Sequence, residues 1–231
     1  MTDAAYRGLG DIIVTARPFD EYLAMFDLSP EQVRAGPVLD CPAGASGFAA
    51  GVRAAGGDAT AVDPEYAGPP ERLVERALRD TEYGNRYVRE NPGTYAWGFF
   101  RDADDHHARR AAAVRAFAAD RAAHPGAYVA AALPALPFAD GAFRLVVSSH
   151  LLFVYPDHFD YARHLAFATE LVRVASGEAR VFPLVDTTTQ AWPLLDDLRA
   201  DLAARGVASE VRPVPYEFIR GGDHMLVLGP S

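Results

Sequence analysis

The stretch VLDCPAGASGF, residues 38–48, decides the fold. Its first residues are apolar, and its centre is a turn rich in glycine, alanine and proline. Residues 48–55 then have helical character and end at a pair of glycines, which commonly terminate helices. A second apolar run, residues 59–62, stops at Asp63. This order predicts a βαβ unit with two parallel, buried strands.

The rest of the chain continues this alternation. Residues 1–35 predict a helical cover interrupted by Pro18 and Pro30, and residues 69–124 predict a helical insertion longer than one crossover needs. Further strands are predicted at residues 128–133, 143–148, 178–185, 208–214 and 224–228, and further helices at 71–79, 104–123, 159–174 and 193–205. We therefore expect one α/β domain over residues 1–231, with a doubly wound, mainly parallel seven-stranded sheet whose last two strands could pair antiparallel at its edge.

Composition restricts the kinds of partner. The chain has 231 residues, a net charge of −9 and a pI near 5.2, which argues against a nucleic-acid partner because such binding relies on clustered cations. No stretch approaches the ~18 apolar residues of a membrane span. The single cysteine is compatible with a reducing compartment, so we expect a cytoplasmic protein that acts on a small molecule. His106 and His107 are adjacent on a predicted helix and diverge by about 100°, so no metal site is predicted.

Two acidic residues follow neighbouring predicted strands. Asp40 ends the first strand and Asp63 ends the second, at the edge where open parallel sheets bind ligands. A carboxylate at the end of the second strand can accept both hydroxyls of an adenosine ribose. The alternatives are a solvated strand-end acid before proline for Asp63 and a turn-forming aspartate for Asp40. A dinucleotide site would need three spaced glycines, which residues 44–47 lack, so the pattern favours a nucleoside over NAD.

At these residues the chain resembles the class I S-adenosylmethionine (SAM)-dependent methyltransferases, which have a Rossmann-like fold. The resemblance is carried by VLDCPAGASGF and by LPFADGAFRLVVSSHLLF, which leads into the fourth strand, and with the strand order it covers residues 36–230. It implies SAM as cofactor, with Asp40 and Gly44 on the methionine side and Asp63 at the ribose. The other implied cofactor-binding residues are Pro42 and Ser46, which alter the usual turn, and Ser149 after the fourth strand. Where many members carry an acid against adenine, this chain has Ala131 and Ala132, so we expect adenine recognition by backbone or stacking.

The reaction itself has fewer candidate residues. His150 follows the fourth strand, where this fold positions groups facing the transferred carbon, and an imidazole there could accept a proton. Tyr216 is a second catalytic candidate. The predicted lid, formed by the 69–124 insertion and the N-terminal cover, contributes candidates for the substrate pocket: Arg17, Tyr22, Tyr95 and Trp97. Aromatic faces can stabilise a sulfonium, although each of these residues could also be plain core packing.

Three functions remain open from the sequence. The first is methyl transfer from SAM to a small molecule. The second makes SAM the only substrate, in the manner of proteins that resemble this family but cyclise the aminobutyryl arm, releasing methylthioadenosine and a cyclic amino acid such as azetidine-2-carboxylate. The third is a non-catalytic nucleoside-binding module, because fold alone does not determine function. The sequence names neither an acceptor nor an oligomeric state.

Overall fold

Fourteen strands and helices organise residues 12–230, which the computed structural model describes. The strands are β1 (Val38–Asp40), β2 (Ala59–Val62), β3 (Tyr128–Val129), β4 (Phe143–Ser149), β5 (Ala175–Phe182), β6 (Val207–Pro213) and β7 (His224–Pro230). The α-helices are α1 (Phe19–Met25), α2 (Pro30–Arg34), α3 (Phe48–Ala54), α4 (Pro70–Glu90), α5 (Ala103–Ala123), α6 (Tyr161–Val174) and α7 (Leu195–Ala203).

The seven strands form a single sheet in the order β3-β2-β1-β4-β5-β7-β6. Strands β1 to β5 pair in parallel, whereas β7 runs antiparallel to both β5 and β6. Strand β1 lies between β2 and β4, with Val38 opposite both Ala59 and Leu145. The mainly parallel sheet with an antiparallel edge pair is confirmed, and its order reverses between β1 and β4, where doubly wound folds bind ligands.

Each face of the sheet is covered by helices. Alternate residues along the central strands point to opposite faces, so Val38 and Val147 belong to one apolar cluster and Leu39 and Val146 to the other. The first cluster includes residues of α1 to α5, and the second includes residues of α6 and α7. The doubly wound arrangement is therefore confirmed, and it leaves the carboxyl edge of the sheet as the place for a site.

Local signals explain several helix starts. Helix α2 begins with Pro30 at its first position and a capping box, in which Ser29 and Gln32 each satisfy the other's backbone N–H. Helix α5 begins after Asp102, whose carboxylate accepts from the N–H groups of Asp104 and Asp105. The acids beside His106 thus cap a helix, as expected from the positive end of the helix dipole.

Several boundaries differ from the prediction, including that of β5, which is Ala175–Phe182 instead of 178–185. Helix α4 extends to Glu90, so Tyr83 and Tyr87 are helical rather than part of an irregular aromatic segment. Strand β3 has two residues instead of six, because the chain turns at residues 132–135. Within the predicted N-terminal cover, residues 12–18 are irregular and only α1 and α2 are helical; the part of that prediction before residue 12 lies outside the described residues.

Candidate functional site

The glycine turn after β1 is built around Gly44. This residue has a φ of +54°, a left-handed conformation that favours glycine. A Cβ at this position would lie 3.0 Å from the carbonyl oxygen of Thr15, so a side chain would press on the segment above. The N–H of Gly44 donates to Asp63 Oδ2 (2.9 Å), and its carbonyl accepts from the Tyr66 hydroxyl (2.8 Å). The turn is therefore fixed to the end of β2.

Asp63 follows β2 and is 7% exposed. Its Oδ2 accepts from Gly44 N–H, and its Oδ1 accepts from Glu65 N–H (3.0 Å). Each carboxylate oxygen can accept a second hydrogen bond, so both remain able to bind ligand hydroxyls. Burial raises the pKa of Asp63, while the two backbone N–H groups oppose that shift. Its neighbourhood thus holds a desolvated carboxylate in a fixed orientation.

A cavity of about 370 Å³ opens at this edge of the sheet, and we call it the edge cavity. Its volume lies within the range of small-molecule sites. It is lined by Ile12, Ile13, Val14, Thr15, Tyr22, Cys41, Pro42, Ala43, Gly44, Asp63, Pro64, Glu65, Arg76, Ala131, Ala132, Leu133, Ser149, His150, Leu151, Phe159, Arg163 and Phe167. Among the predicted cofactor-binding residues, Pro42, Gly44, Asp63 and Ser149 line it.

The end of the edge cavity beyond β3 is apolar. Ala131, Ala132, Phe159 and Phe167 belong to its lining. Arg163 lies over the ring of Phe167, with 5.7 Å from its guanidinium carbon to the ring centroid. Aromatic and backbone surfaces of this kind suit a planar ring, and recognition of adenine here stays a prediction.

Asp40 and Ser46 do not line the edge cavity. Asp40 is fully buried, and its oxygens accept from the hydroxyls of Tyr22 (3.2 Å) and Ser46 (2.7 Å). Burial raises the pKa of Asp40 to about 7, although the two hydroxyl donors favour the carboxylate. Both residues were predicted to contact the cofactor; instead they fix Tyr22, which does line the cavity, and hold the turn from below.

Residues 12–18, which we call the strap, cross over the glycine turn. The carbonyl of Thr15 accepts from Ala45 N–H (3.2 Å), and that of Arg17 accepts from Gly47 N–H (2.8 Å). On the other side, Val14 N–H donates to Asp80 on α4 (2.8 Å). The strap therefore links the turn to α4 and forms a wall of the edge cavity.

A second, smaller cavity of about 80 Å³ lies on the far side of the strap, and we call it the inner cavity. It is lined by Ile13, Val14, Thr15, Ala16, Arg17, Asp80, Thr81, Gly84, Asn85, Val88, Tyr95, His106, Arg110, His150, Val154, Tyr155, Thr187, Phe218 and Ile219. His150 and the strap residues 13–15 line both cavities. The predicted substrate residues Arg17 and Tyr95 are here, whereas Trp97 lines neither cavity and packs on Phe218 (5.7 Å between centroids).

His150 marks the junction of the two cavities. It has a φ of +54°, which is uncommon outside glycine, and its N–H donates to the carbonyl of Phe182 (2.7 Å). Its Nδ1 lies 2.8 Å from the Ser149 hydroxyl oxygen. Burial lowers the pKa of His150, and the charges of Arg17 and Arg110 lower it further. The imidazole is therefore neutral at physiological pH.

A buried ion pair lies behind the inner cavity. Arg110 binds the carboxylate of Glu21 through two hydrogen bonds, of 2.6 and 2.7 Å, and Tyr216 donates its hydroxyl to the same carboxylate (2.7 Å). Tyr216, predicted as catalytic, lines neither the edge cavity nor the inner cavity. Its hydroxyl is bound to Glu21, and burial raises its pKa well above the usual value, so its catalytic role stays a prediction.

His106 is a cavity residue that the sequence analysis weighed only as a metal ligand. It is 5% exposed, stacks on Phe218 (4.7 Å between centroids) and lines the inner cavity. Burial lowers its pKa to about 2, with Arg110 and Arg17 adding to the effect. The local pattern of acids around His106 gave no sign of this, because the stacking partner comes from the loop between β6 and β7.

The loop between β6 and β7 also contacts the segment that the sequence predicts as a lid. Residues 94–96 pair with residues 218–220: Ala96 N–H donates to the carbonyl of Phe218 (2.8 Å), and Arg220 N–H donates to that of Thr94 (2.9 Å). Tyr95 packs on Phe218 (4.7 Å between centroids). The segment between α4 and α5 is thus attached to the loop between β6 and β7, and its closure as a lid stays a prediction.

Two further features are absent from residues 12–230, the part of the chain that the structure describes. No group of three or more histidine, cysteine, aspartate or glutamate side chains there is arranged to hold a metal ion. Among the helices of the same range, none combines the length and the apolar character needed to cross a bilayer.

Comparison with known proteins adds relatives of low similarity. No family model matches the chain. An uncharacterized protein of Methanocaldococcus jannaschii, MJ0045, is 27% identical over 224 residues, which are 96% of this chain and 98% of that protein. The chain therefore has a relative of nearly the same length whose own function is not described.

The similar solved structures include SAM-dependent methyltransferases. One is the 1,6-didemethyltoxoflavin-N1-methyltransferase of Burkholderia thailandensis, solved with 1,6-didemethyltoxoflavin and S-adenosylhomocysteine, at 16% identity and a TM-score of 0.46 over 89% of this chain and 74% of that chain. Another is the magnesium protoporphyrin IX methyltransferase of Synechocystis PCC 6803 with bound SAM, at 12% identity and a TM-score of 0.49 over 92% and 78%. These ligands are properties of those two enzymes. Strand order and direction, independently of these scores, identify a Rossmann-like, doubly wound fold.

Proposed function

We propose that this chain binds SAM in the edge cavity and transfers its methyl group to a small molecule. One observation carries the proposal. At the switch point of the sheet, a desolvated carboxylate at the end of β2 and a glycine turn after β1 line one cavity of about 370 Å³. This is the arrangement that a nucleoside with a free ribose requires.

Each residue would have a distinct task. Asp63 would accept the two ribose hydroxyls, using the lone pairs left free by its backbone hydrogen bonds. Gly44 would let the ligand approach the backbone, and the apolar wall at Ala131 and Phe159 would receive the adenine. SAM itself supplies an electrophilic methyl group on a sulfonium, so the protein's main contribution is alignment and exclusion of water.

The junction at His150 is where donor and acceptor would meet, because this residue lines both cavities. A neutral imidazole suits this position for an electrostatic reason. A protonated ring beside a sulfonium would add like-charge repulsion, whereas burial and the nearby arginines keep His150 uncharged. The uncharged ring can also accept a proton from the acceptor as the methyl group is transferred.

The size of the inner cavity favours a second candidate, in which SAM is the only substrate. Its volume is about 80 Å³, against about 370 Å³ for the edge cavity, so it has less room for an acceptor beside the cofactor. In this reaction the α-amine nitrogen attacks the γ-carbon and the carbon–sulfur bond breaks. The sulfur keeps the electron pair and leaves in methylthioadenosine, and the nitrogen loses a proton to give azetidine-2-carboxylate.

Incubation with SAM tests both candidates, with the adenosyl product read by mass spectrometry. Methyl transfer predicts S-adenosylhomocysteine only when an acceptor from a small-molecule panel is added. Cyclisation predicts methylthioadenosine without any acceptor. Binding of SAM without either product would indicate a non-catalytic module, and absence of binding would contradict the proposal. Asp63→Ala is the matched inactive control, since it removes the ribose contact.

A further inference from the structure

The inner cavity contains buried polar atoms that lack partners among residues 12–230. Arg17 Nε and His106 Nδ1 make no hydrogen bond, and neither does Asn85 Oδ1. All three residues are at least nine-tenths buried, with exposures of 8%, 5% and 9%, and all three line the same cavity. Unsatisfied buried polar groups are costly, so a cluster of them around one cavity points to a ligand.

The protonation of His106 follows from its neighbour. Arg110 Nε lies 3.1 Å from His106 Nε2, and arginine can only donate, so Nε2 is the accepting atom of the ring. With its pKa lowered to about 2, the ring is neutral and its hydrogen is on Nδ1. His106 Nδ1 is therefore a donor without an acceptor, and so is Arg17 Nε. Two unsatisfied donors around one small cavity call for an acceptor with more than one oxygen.

The charge around the cavity has the matching sign. Arg17 and Arg110 face a single carboxylate, Glu21, which is occupied by both nitrogens of Arg110 and by the Tyr216 hydroxyl. Arg17 Nε remains 3.5 Å from Glu21, longer than the hydrogen bonds of Arg110. The third charged group of the lining, Asp80, accepts from Val14 N–H and lies 3.5 Å from Arg76 outside the inner cavity. One positive charge at Arg17 is thus left without a full partner.

We propose that the inner cavity is a carboxylate-binding subsite in which Arg17 and His106 hold the anion. Asn85 adds an amide that can pair with a donor next to the carboxylate. This inference deepens the proposed function and rests on it for the reaction. The carboxylate has two possible sources: the methionyl arm of the cofactor, reached past the shared residue His150, or an acceptor molecule.

The test uses the full chain and two pairs of ligands that differ in the carboxylate. Acetate and its neutral counterpart acetamide are compared by saturation-transfer NMR, with S-adenosylhomocysteine present. S-adenosylhomocysteine and methylthioadenosine, which lacks the carboxylate, are compared by calorimetry. Arg17→Gln should weaken the binding of either acetate or S-adenosylhomocysteine by at least ~10-fold, since a charge-assisted hydrogen bond is lost. The binding of the corresponding ligand without the carboxylate should not change.

The pattern of losses identifies the source. Selective loss of acetate assigns the subsite to an acceptor, and selective loss of S-adenosylhomocysteine assigns it to the cofactor arm. Arg109→Gln is the matched control, because Arg109 lies beside Arg110 on α5 but pairs with Asp20 at the surface. Arg17→Lys keeps the charge and should show a smaller selective loss, which also covers the case in which Arg17→Gln does not fold.

Unchanged binding of both carboxylate ligands in the Arg17 variants would overturn the subsite, as would equal losses of the charged and neutral ligands in folded protein. Failure of the proposed function has a different signature. In that case wild-type protein binds neither S-adenosylhomocysteine nor methylthioadenosine, while the acetate comparison, repeated without the nucleoside, still decides the subsite.

Discussion

Replacement of Asp63 by alanine tests the ribose assignment, and its effect can be worked out from the contacts of this side chain. The carboxylate is 7% exposed and has one lone pair on each oxygen left for a ribose hydroxyl. A hydrogen bond to a charged group contributes about 1.5–3 kcal/mol, and ~1.4 kcal/mol corresponds to a factor of ten. Loss of at least one such bond should weaken S-adenosylhomocysteine binding by ~10-fold or more.

The same substitution has a structural effect that must be separated from the loss of the ribose contact. It leaves the N–H groups of Gly44 and Glu65 without their acceptor, so the glycine turn could shift and weaken any ligand. A thermodynamic cycle removes this ambiguity. Adenosine and 2′,3′-dideoxyadenosine are titrated into wild-type and Asp63→Ala protein, and only the difference between the two ligands is compared.

In the wild type, the dideoxy ligand should bind much more weakly than adenosine. In Asp63→Ala, the difference in affinity between the two ligands should be small. Asp58→Ala is the matched control, because Asp58 is an exposed acid just before β2, at the opposite end of the strand, and should bind both ligands as the wild type does. Equal penalties in wild-type and Asp63→Ala protein would refute the ribose assignment.

Three other predictions follow from the site. Burial raises the pKa of Asp40 from 3.8 to about 7, so this residue stabilises the fold fully below about pH 4 and loses that effect as pH rises through about 7. Asp40→Asn should remove this decline in the free energy of unfolding, measured by urea denaturation at several pH values. An unchanged pH dependence in the variant would contradict the assignment. His150→Gly keeps the positive φ and should lower kcat by about 100-fold with little change in S-adenosylhomocysteine affinity, whereas wild-type turnover would exclude a catalytic role. Saturating S-adenosylhomocysteine should slow amide exchange in residues 12–18 and 83–100, and unchanged exchange there would contradict the lid.

Local patterns in the sequence were enough for the framework of the site. The strands β1 and β2 are short apolar runs, and the residues that end them or follow them, including Gly44 and Asp63, must meet at the carboxyl edge of a parallel sheet. The position of both residues at the edge cavity was therefore predictable from the order of strand, turn and helix, before any contact was known.

The inner cavity was less predictable, because long-range packing forms it. Arg17, His106 and Phe218 come from the strap, α5 and the β6–β7 loop, and no local periodicity relates them. Arg17 was expected in the substrate pocket as part of a lid. Its contact with Glu21, which Arg110 also binds, depends on how α1 packs near α5. His106 was misjudged for the same reason: acids around it indicate a helix start and say nothing about its stacking partner.

Tyr216 and Trp97 show the limit of reading aromatic residues as site residues. Tyr216 lies beside Phe99 and Phe182 (5.2 and 5.7 Å between centroids), and its hydroxyl donates to Glu21. Both tyrosine and tryptophan bury a large apolar surface with a polar group at one end, so either role fits their chemistry. Only the fold decides which side of the buried ion pair each ring occupies.

A crystal structure with S-adenosylhomocysteine bound would test the central claim most directly. The account predicts the ligand in the edge cavity, with both ribose hydroxyls within hydrogen-bond distance of the Asp63 carboxylate, the adenine against Ala131 and Phe159, and the sulfur facing His150. A ligand bound elsewhere, or a ribose that does not contact Asp63, would contradict it.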